Sequence, residues 1–214
     1  MELLGSQHPQ VAHFGANILL QKCRGDVGQL ESGQADELVC SVIARGGMAE
    51  MGPAARKTLF AAAGAATVGL CKDSMGLSAQ LTKDYIGALS PLSMCMYLGG
   101  VAAEFASKGA RMRGSEMGRC CMAVMPLLAQ CVGAVTATED LALFTALFNT
   151  LAAWGAVGLS LTNLLAIAAL EPLVNCLAMS ELFQPAAAAI SECAENEIED
   201  MGSIEALCGT LFPA

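Results

Sequence analysis

Beyond Arg119 the chain contains no lysine or arginine. Nucleic-acid binding needs those cations to meet phosphate, so residues 120–214 are a poor nucleic-acid surface. Aromatics amount to 5%, with a single Trp. An all-β sandwich wants aromatic and β-branched residues, and this composition argues against one. Only two His occur, and the ten Cys include no C-x-x-C pair, so no zinc-site spacing exists. The 22 Gly follow no three-residue period, which excludes a collagen-like chain. Charged residues are 14% against 55% apolar, which excludes disorder.

What is present is a chain of 214 residues rich in Ala, Leu, Met and Val. That length allows one or two ordinary domains, or one elongated array. Residues 1–119 carry 11 basic and 10 acidic residues, a net of +1; residues 120–214 carry 10 acidic residues and no basic one, a net of −10. The acidic half suits a basic partner. Most Cys fall inside apolar helical runs, which predicts reduced core thiols in a cytosolic or nuclear protein. The opening MELLGSQHPQ lacks the basic and apolar regions of a signal peptide.

Mean hydropathy is +0.54, and residues 141–170 and 120–138 carry no charge, long enough to span a bilayer. No Lys or Arg flanks the longer run, WGAVGLSLTN breaks it at 154–163, and Ala supplies much of its apolar count. A multi-span membrane protein stands as a rival to a chain without membrane insertion.

Helix signals dominate, punctuated by Gly, Pro and Ser. Helices are expected at 9–23, 34–45, 53–70, 77–88, 91–107, 115–134, 139–154, 161–178 and 185–199, with a tenth opening near 203. Pro126 is expected to kink the sixth. Paired, they give units starting near 8, 53, 91, 139 and 184. Two-helix solenoid repeats of the HEAT or armadillo kind have periods of about 40–47 residues. Each pair is too small to bury its apolar faces alone, so neighbours stack. The expected fold is all-α, an α-α superhelix of about five helix pairs.

HPQVAHFGANILLQKCRGDVGQL resembles the second repeat of importin-β-type nuclear transport receptors in the transportin-3 and importin-13 branch, through Phe14, Gly15, Ala16, Leu19, Lys22 and Leu30. ARKTLFAAAGAATVGL, SPLSMCMYLGGVAAEF, EDLALFTALFNTLAAWGAVG and LFQPAAAAISECAENEIED resemble the repeats that follow, in order. Val27 stands where the branch usually has Trp. The inner helices have drifted to Ala and Gly, and the resemblance implies a segment cut within a repeat at both ends. Its terminal helices are then expected to expose apolar faces, and the chain to self-associate.

The resemblance implies a receptor that shuttles between cytoplasm and nucleus. It would carry protein cargo, touch Phe-Gly nucleoporins, and release cargo when the GTP form of the Ran GTPase binds the first repeats. In this family Ran lies against the second helices of those repeats, here 34–45 and 77–88. The first presents Gln34, Glu37, Ser41 and Arg45 opposite Leu38 and Val42. The second presents Gln80, Lys83, Asp84 and Gly87 opposite Leu81 and Ile86. A generic HEAT-type scaffold without Ran binding is the alternative.

Nothing in the sequence builds a catalytic, cofactor or metal site. His8 and His13 are read as helix-start or solvent residues, and Cys120–Cys121 as core packing. Gly46–Gly52 is loop punctuation, since no strand precedes it. Trp154 is expected to plug the core beside Phe148 and Leu151. Lys108, Arg111 and Arg113 form a loop cluster suited to an acidic partner. Glu192, Glu195, Glu197, Glu199 and Asp200 read as a solvated helix end, or as a face for basic cargo or the basic side of Ran.

Overall fold

Proline and short polar side chains set where the helices begin. Pro9, Pro53 and Pro91 occupy first helical positions, where a missing N–H costs nothing. Asp140 accepts from Ala142 N–H at 2.9 Å and Leu143 N–H at 3.3 Å, capping the helix at 141. Asp73 caps in the same way through Gly76 N–H at 2.8 Å. Glu31 with Gln34, and Ser160 with Asn163, form reciprocal capping boxes.

The computed structural model describes residues 2–6, 8–48, 50–71, 73–108, 114–138 and 140–197. Among them lie eleven α-helices and no strand, so the fold is all-α. The helices are α1 (Pro9–Asp26), α2 (Ser32–Gly46), α3 (Pro53–Leu70), α4 (Ser74–Leu81), α5 (Asp84–Gly87) and α6 (Pro91–Lys108). Then follow α7 (Gly114–Thr136), α8 (Leu141–Gly155), α9 (Leu161–Ala166), α10 (Leu170–Cys176) and α11 (Ser180–Ala194).

Contacts sort these helices into two rows. In the first, α1 packs on α3, α3 on α6, α6 on α8 and α8 on α11. The second holds α2 against α3, α4 against α7, α7 against α6 and α8, and α9 and α10 against α11. First-row helices run parallel, because their C-terminal ends meet: Arg24 of α1 reaches Glu104 of α6 at 2.5 Å, and Gly155 of α8 lies against Glu192 and Cys193 of α11.

Being flanked on several sides explains the apolar composition. In α3 every residue from Ala62 to Val68 is buried. The α3 and α6 backbones touch: a Cβ at Gly64 would lie 2.4 Å from the Gly100 carbonyl carbon. Trp154 is fully buried between α8 and α6, as expected; its indole N–H donates to the Leu98 carbonyl at 3.1 Å, and its ring centre lies 6.2 Å from that of Phe105. Thr150 donates to the Cys95 carbonyl at 2.8 Å, a second link between α6 and α8.

Three expected helices are corrected. The helix at 77–88 is two elements, α4 and α5, with Thr82 and Lys83 between them in non-helical conformations. The helix at 161–178 divides into α9 and α10 at Ala168, whose φ is 57°. The helix at 185–199 begins at Ser180 and ends at Ala194, so Pro185 lies inside it, and a 3-10 turn Glu195–Glu197 follows. The α7 helix continues through Pro126 to Thr136. The helix expected near 203 lies outside the described residues, as do Arg111, Arg113, Glu199, Asp200 and Cys208. Among the described residues one helix, Glu116–Thr136, is long and apolar enough to cross a membrane, and 39% of its most apolar stretch is buried; the 141–170 run is broken before it reaches that length.

Candidate functional site: a polar junction of two second-row helices

The α4–α5 break carries the chemistry of this junction. Lys83, the residue preceding α5, has extended backbone and sends its ammonium back to Asp36 on α2, at 2.9 Å. Both side chains stay partly exposed, 42% for Lys83 and 33% for Asp36. The Lys83 ammonium holds the Asp36 carboxyl below its ordinary value; desolvation opposes this, and Gln80 adds a second hydrogen bond. Gln80 also donates to the Tyr85 hydroxyl. Burial, with the Asp36 charge, pushes the Tyr85 phenol up to about 12, so it stays neutral and a hydrogen-bonding group.

The residues read from sequence separate here. Glu37 and Asp84 are exposed on either side of the Asp36–Lys83 pair. Gln34 is exposed, but its amide oxygen accepts from the Glu31 backbone N–H at 3.3 Å, so it serves the α2 start. Ser41 is half-buried. Arg45 is half-buried and donates to the Leu4 carbonyl at 2.6 Å, tying α2 to the 3-10 turn Glu2–Gly5. Gln80 is a correction: it is buried beside Leu81 and sits inside the junction. One continuous stripe over 80–87 does not form, because the chain leaves the helix at Thr82–Lys83. Leu81 and Ile86 are buried as expected, and Gly87 is exposed.

Sequence reading missed Asp36, since nothing marks a partner 47 residues away for Lys83. Glu37 and Asp84, the exposed chain neighbours of Asp36 and Lys83, give this surface an acidic bias. The other predicted groups lie elsewhere. His13 faces Asn17 at 3.2 Å and Thr58 at 3.5 Å. Cys120 and Cys121 are both buried.

Thiol chemistry has little footing. Burial pushes Cys23 and Cys120 up to about 11, and Cys71, Cys121 and Cys193 up to about 12. The nucleophilic thiolate is therefore suppressed. Cys95 and Cys131, both free thiols, share a hydrogen bond across α6 and α7; that contact together with burial raises Cys95, and the same hydrogen bond lowers Cys131 against the effect of burial. No group of three or more His, Cys, Asp and Glu able to hold a metal occurs among the described residues.

A concavity of about 820 Å³ runs along α6 between α3 and α8. Ala61, Leu92, Met96 and Gly99 line it, and Arg56 stands at one end, donating to the Met48 carbonyl at 3.1 Å. The Arg56 Nε–H is buried without a partner among the described residues. In comparisons with known proteins, no family model, no curated protein and no solved structure matches this chain.

Proposed function

We propose that the chain is a non-enzymatic, protein-binding segment of a nuclear transport receptor, built from HEAT- or armadillo-type helix pairs. The observation that carries this reading is the alternation of the helices into two rows in chain order, with parallel first-row helices beginning at 9, 53, 91, 141 and 180. Such an array offers a long second-row face to protein partners. The resemblance to importin-β-type receptors assigns that face to the GTP form of Ran, with α2 and the α4–α5 junction as contact elements. Glu37, Lys83 and Asp84 are the exposed or half-exposed groups there; Gln34, Ser41 and Arg45 would contribute at the edges. The apolar groove along α6 offers a place for the Phe side chains of nucleoporins. Coupling between cargo and Ran would be reciprocal, each weakening the other by the same factor. The receptor would shuttle between cytoplasm and nucleus.

Titration with Ran in its two nucleotide states tests this reading. Tighter binding of the GTP form is expected, together with loss of that preference in Lys83→Glu/Asp84→Lys. The weakening should be about 2–5 kcal/mol, the scale of disrupted interfacial charge pairs. Because Lys83 also serves Asp36, the same variant with Asp36→Lys separates loss of the internal pair from loss of the partner. Equal affinity for both nucleotide states would leave the plain scaffold. That alternative draws on the commitment of Lys83, Gln34 and Arg45 to intramolecular bonds.

A further inference from the structure

A trough runs over α6. Gly100 lets α6 press on α3, where a Cβ would lie 2.7 Å from the Phe60 carbonyl oxygen. Gly99 brings α6 equally near α8, where a Cβ would lie 3.2 Å from Thr150 Oγ1. The concavity of about 820 Å³ opens over these two seams. Leu92, Met96 and Ala103 give it an apolar floor, and Ala61 of α3 with Ala146 and Ala153 of α8 give it walls of small side chains. Among the described residues no carboxylate lines it.

Size and backbone chemistry select the occupant. The lining runs from Leu92 to Ala103 along α6, about 16 Å of helix axis. Spread over that length, the volume gives a mean section of about 50 Å², half that of a helix about 10–12 Å across. Single Phe side chains fill only part of such a space. An extended peptide would bury N–H and C=O groups against walls whose own backbone is already paired inside helices. A helix satisfies its own backbone and needs only an apolar stripe to fill the trough.

Charge sets the direction. Pro53, Leu92 and Leu141 lie at one end of the trough, where α3, α6 and α8 all start, so their N-terminal dipoles gather there. Lys57 is exposed at that end. Beside it the Arg56 guanidinium donates to the Met48 carbonyl, and neither cation pairs with a carboxylate among the described residues. Asp140, next to the lining in the chain, is spent on the α8 start. Such a cationic end suits the free carbonyls and any acidic side chains of a helix C-terminus. We propose that the trough seats an amphipathic helix of a protein partner, antiparallel to α6, with its acidic last turn on Lys57 and Arg56.

Fluorescence anisotropy on the whole chain tests this with a labelled, end-blocked peptide of about 18 residues, long enough to hold a helix in water. The peptide carries Leu at spacings of three and four on an Ala and Gln background, with two Glu in its last turn. It should bind saturably, and roughly fivefold more tightly than the same peptide with its Glu pair moved to the first turn. Lys57→Glu should weaken binding roughly fivefold and strengthen binding of a peptide ending in two Lys. Ala103→Trp fills the floor from an exposed position and should weaken binding roughly tenfold. Thermal melts of both variants check that the fold survives. A version with a central Pro, which breaks the helix, should not bind. No saturable binding by wild type overturns the proposal. So does equal binding of the two Glu placements, of the Pro version, or by Ala103→Trp. Tighter binding of a Phe-Gly repeat peptide than of the helix overturns it as well.

Discussion

At the residue scale, two side chains carry separable roles. Trp154 joins α8 to α6 through a large apolar ring and one buried hydrogen bond to the Leu98 carbonyl. Trp154→Ala empties a large aromatic site, so it should destabilise by about 3–5 kcal/mol in urea unfolding. Trp154→Phe should cost less, chiefly the lost indole hydrogen bond, because the Leu98 carbonyl lies inside α6 and keeps its helical partner. Glu116 joins α7 to the start of α4: it pairs with Arg119 and accepts the Ser74 backbone N–H. Arg119 first, then Ser74, bring its carboxyl down to about 2 from an ordinary 4.5. A carboxyl lowered by folding stabilises fully above its unfolded value, and that stabilisation fades as pH falls from about 4.5 through about 2. Asp36, lowered by Lys83, acts in the same direction. Glu116→Gln should therefore lose less stability than wild type across that window, measured as the urea midpoint against pH.

At the element scale, helix ends decide what the sequence reveals. The α8 end closes in a Schellman motif: Leu159 N–H donates to Trp154 C=O at 2.9 Å and Gly158 N–H to Gly155 C=O at 2.9 Å, with Gly158 at φ 126°. That break was legible because glycine marks it. The α9 end closes in the same way: Ala169 N–H donates to Leu164 C=O at 2.8 Å and Ala168 N–H to Leu165 C=O at 3.0 Å. There an alanine takes the left-handed position, so nothing in LLAIAAL signals a stop. Ala168→Gly should stabilise by about 1 kcal/mol by relieving that conformation, and a calorimetric melt reads it. The α4–α5 break was hidden for a related reason, since LTKDY contains neither Gly nor Pro. The starts at Pro9, Pro53 and Pro91 were legible because proline fixes them. Of the candidate site, the exposed α2 positions could be read from spacing. The Asp36–Lys83 pair could not, because it depends on how α2 meets the α4–α5 junction.

At the scale of the whole molecule, alternate helices form a row held by close backbone approach. Gly64 and Gly100 allow α3 and α6 to touch; a Cβ at Gly100 would lie 2.7 Å from the Phe60 carbonyl oxygen. Gly100→Ala must push the two helices apart and should destabilise by about 1–3 kcal/mol. Gly118→Ala on α7, with no neighbour within 4 Å, should instead be neutral or gain up to about 1 kcal/mol in the same urea titration. The row puts α2 and the α4–α5 junction side by side, and the account rests on those two elements forming one protein-binding face. Hydrogen–deuterium exchange with and without GTP-loaded Ran tests that claim most directly. Binding should slow exchange in residues 32–46 and 80–87 together, while α6 and α8 keep their free-state rates. Protection confined to the groove along α6, or none anywhere, would contradict it.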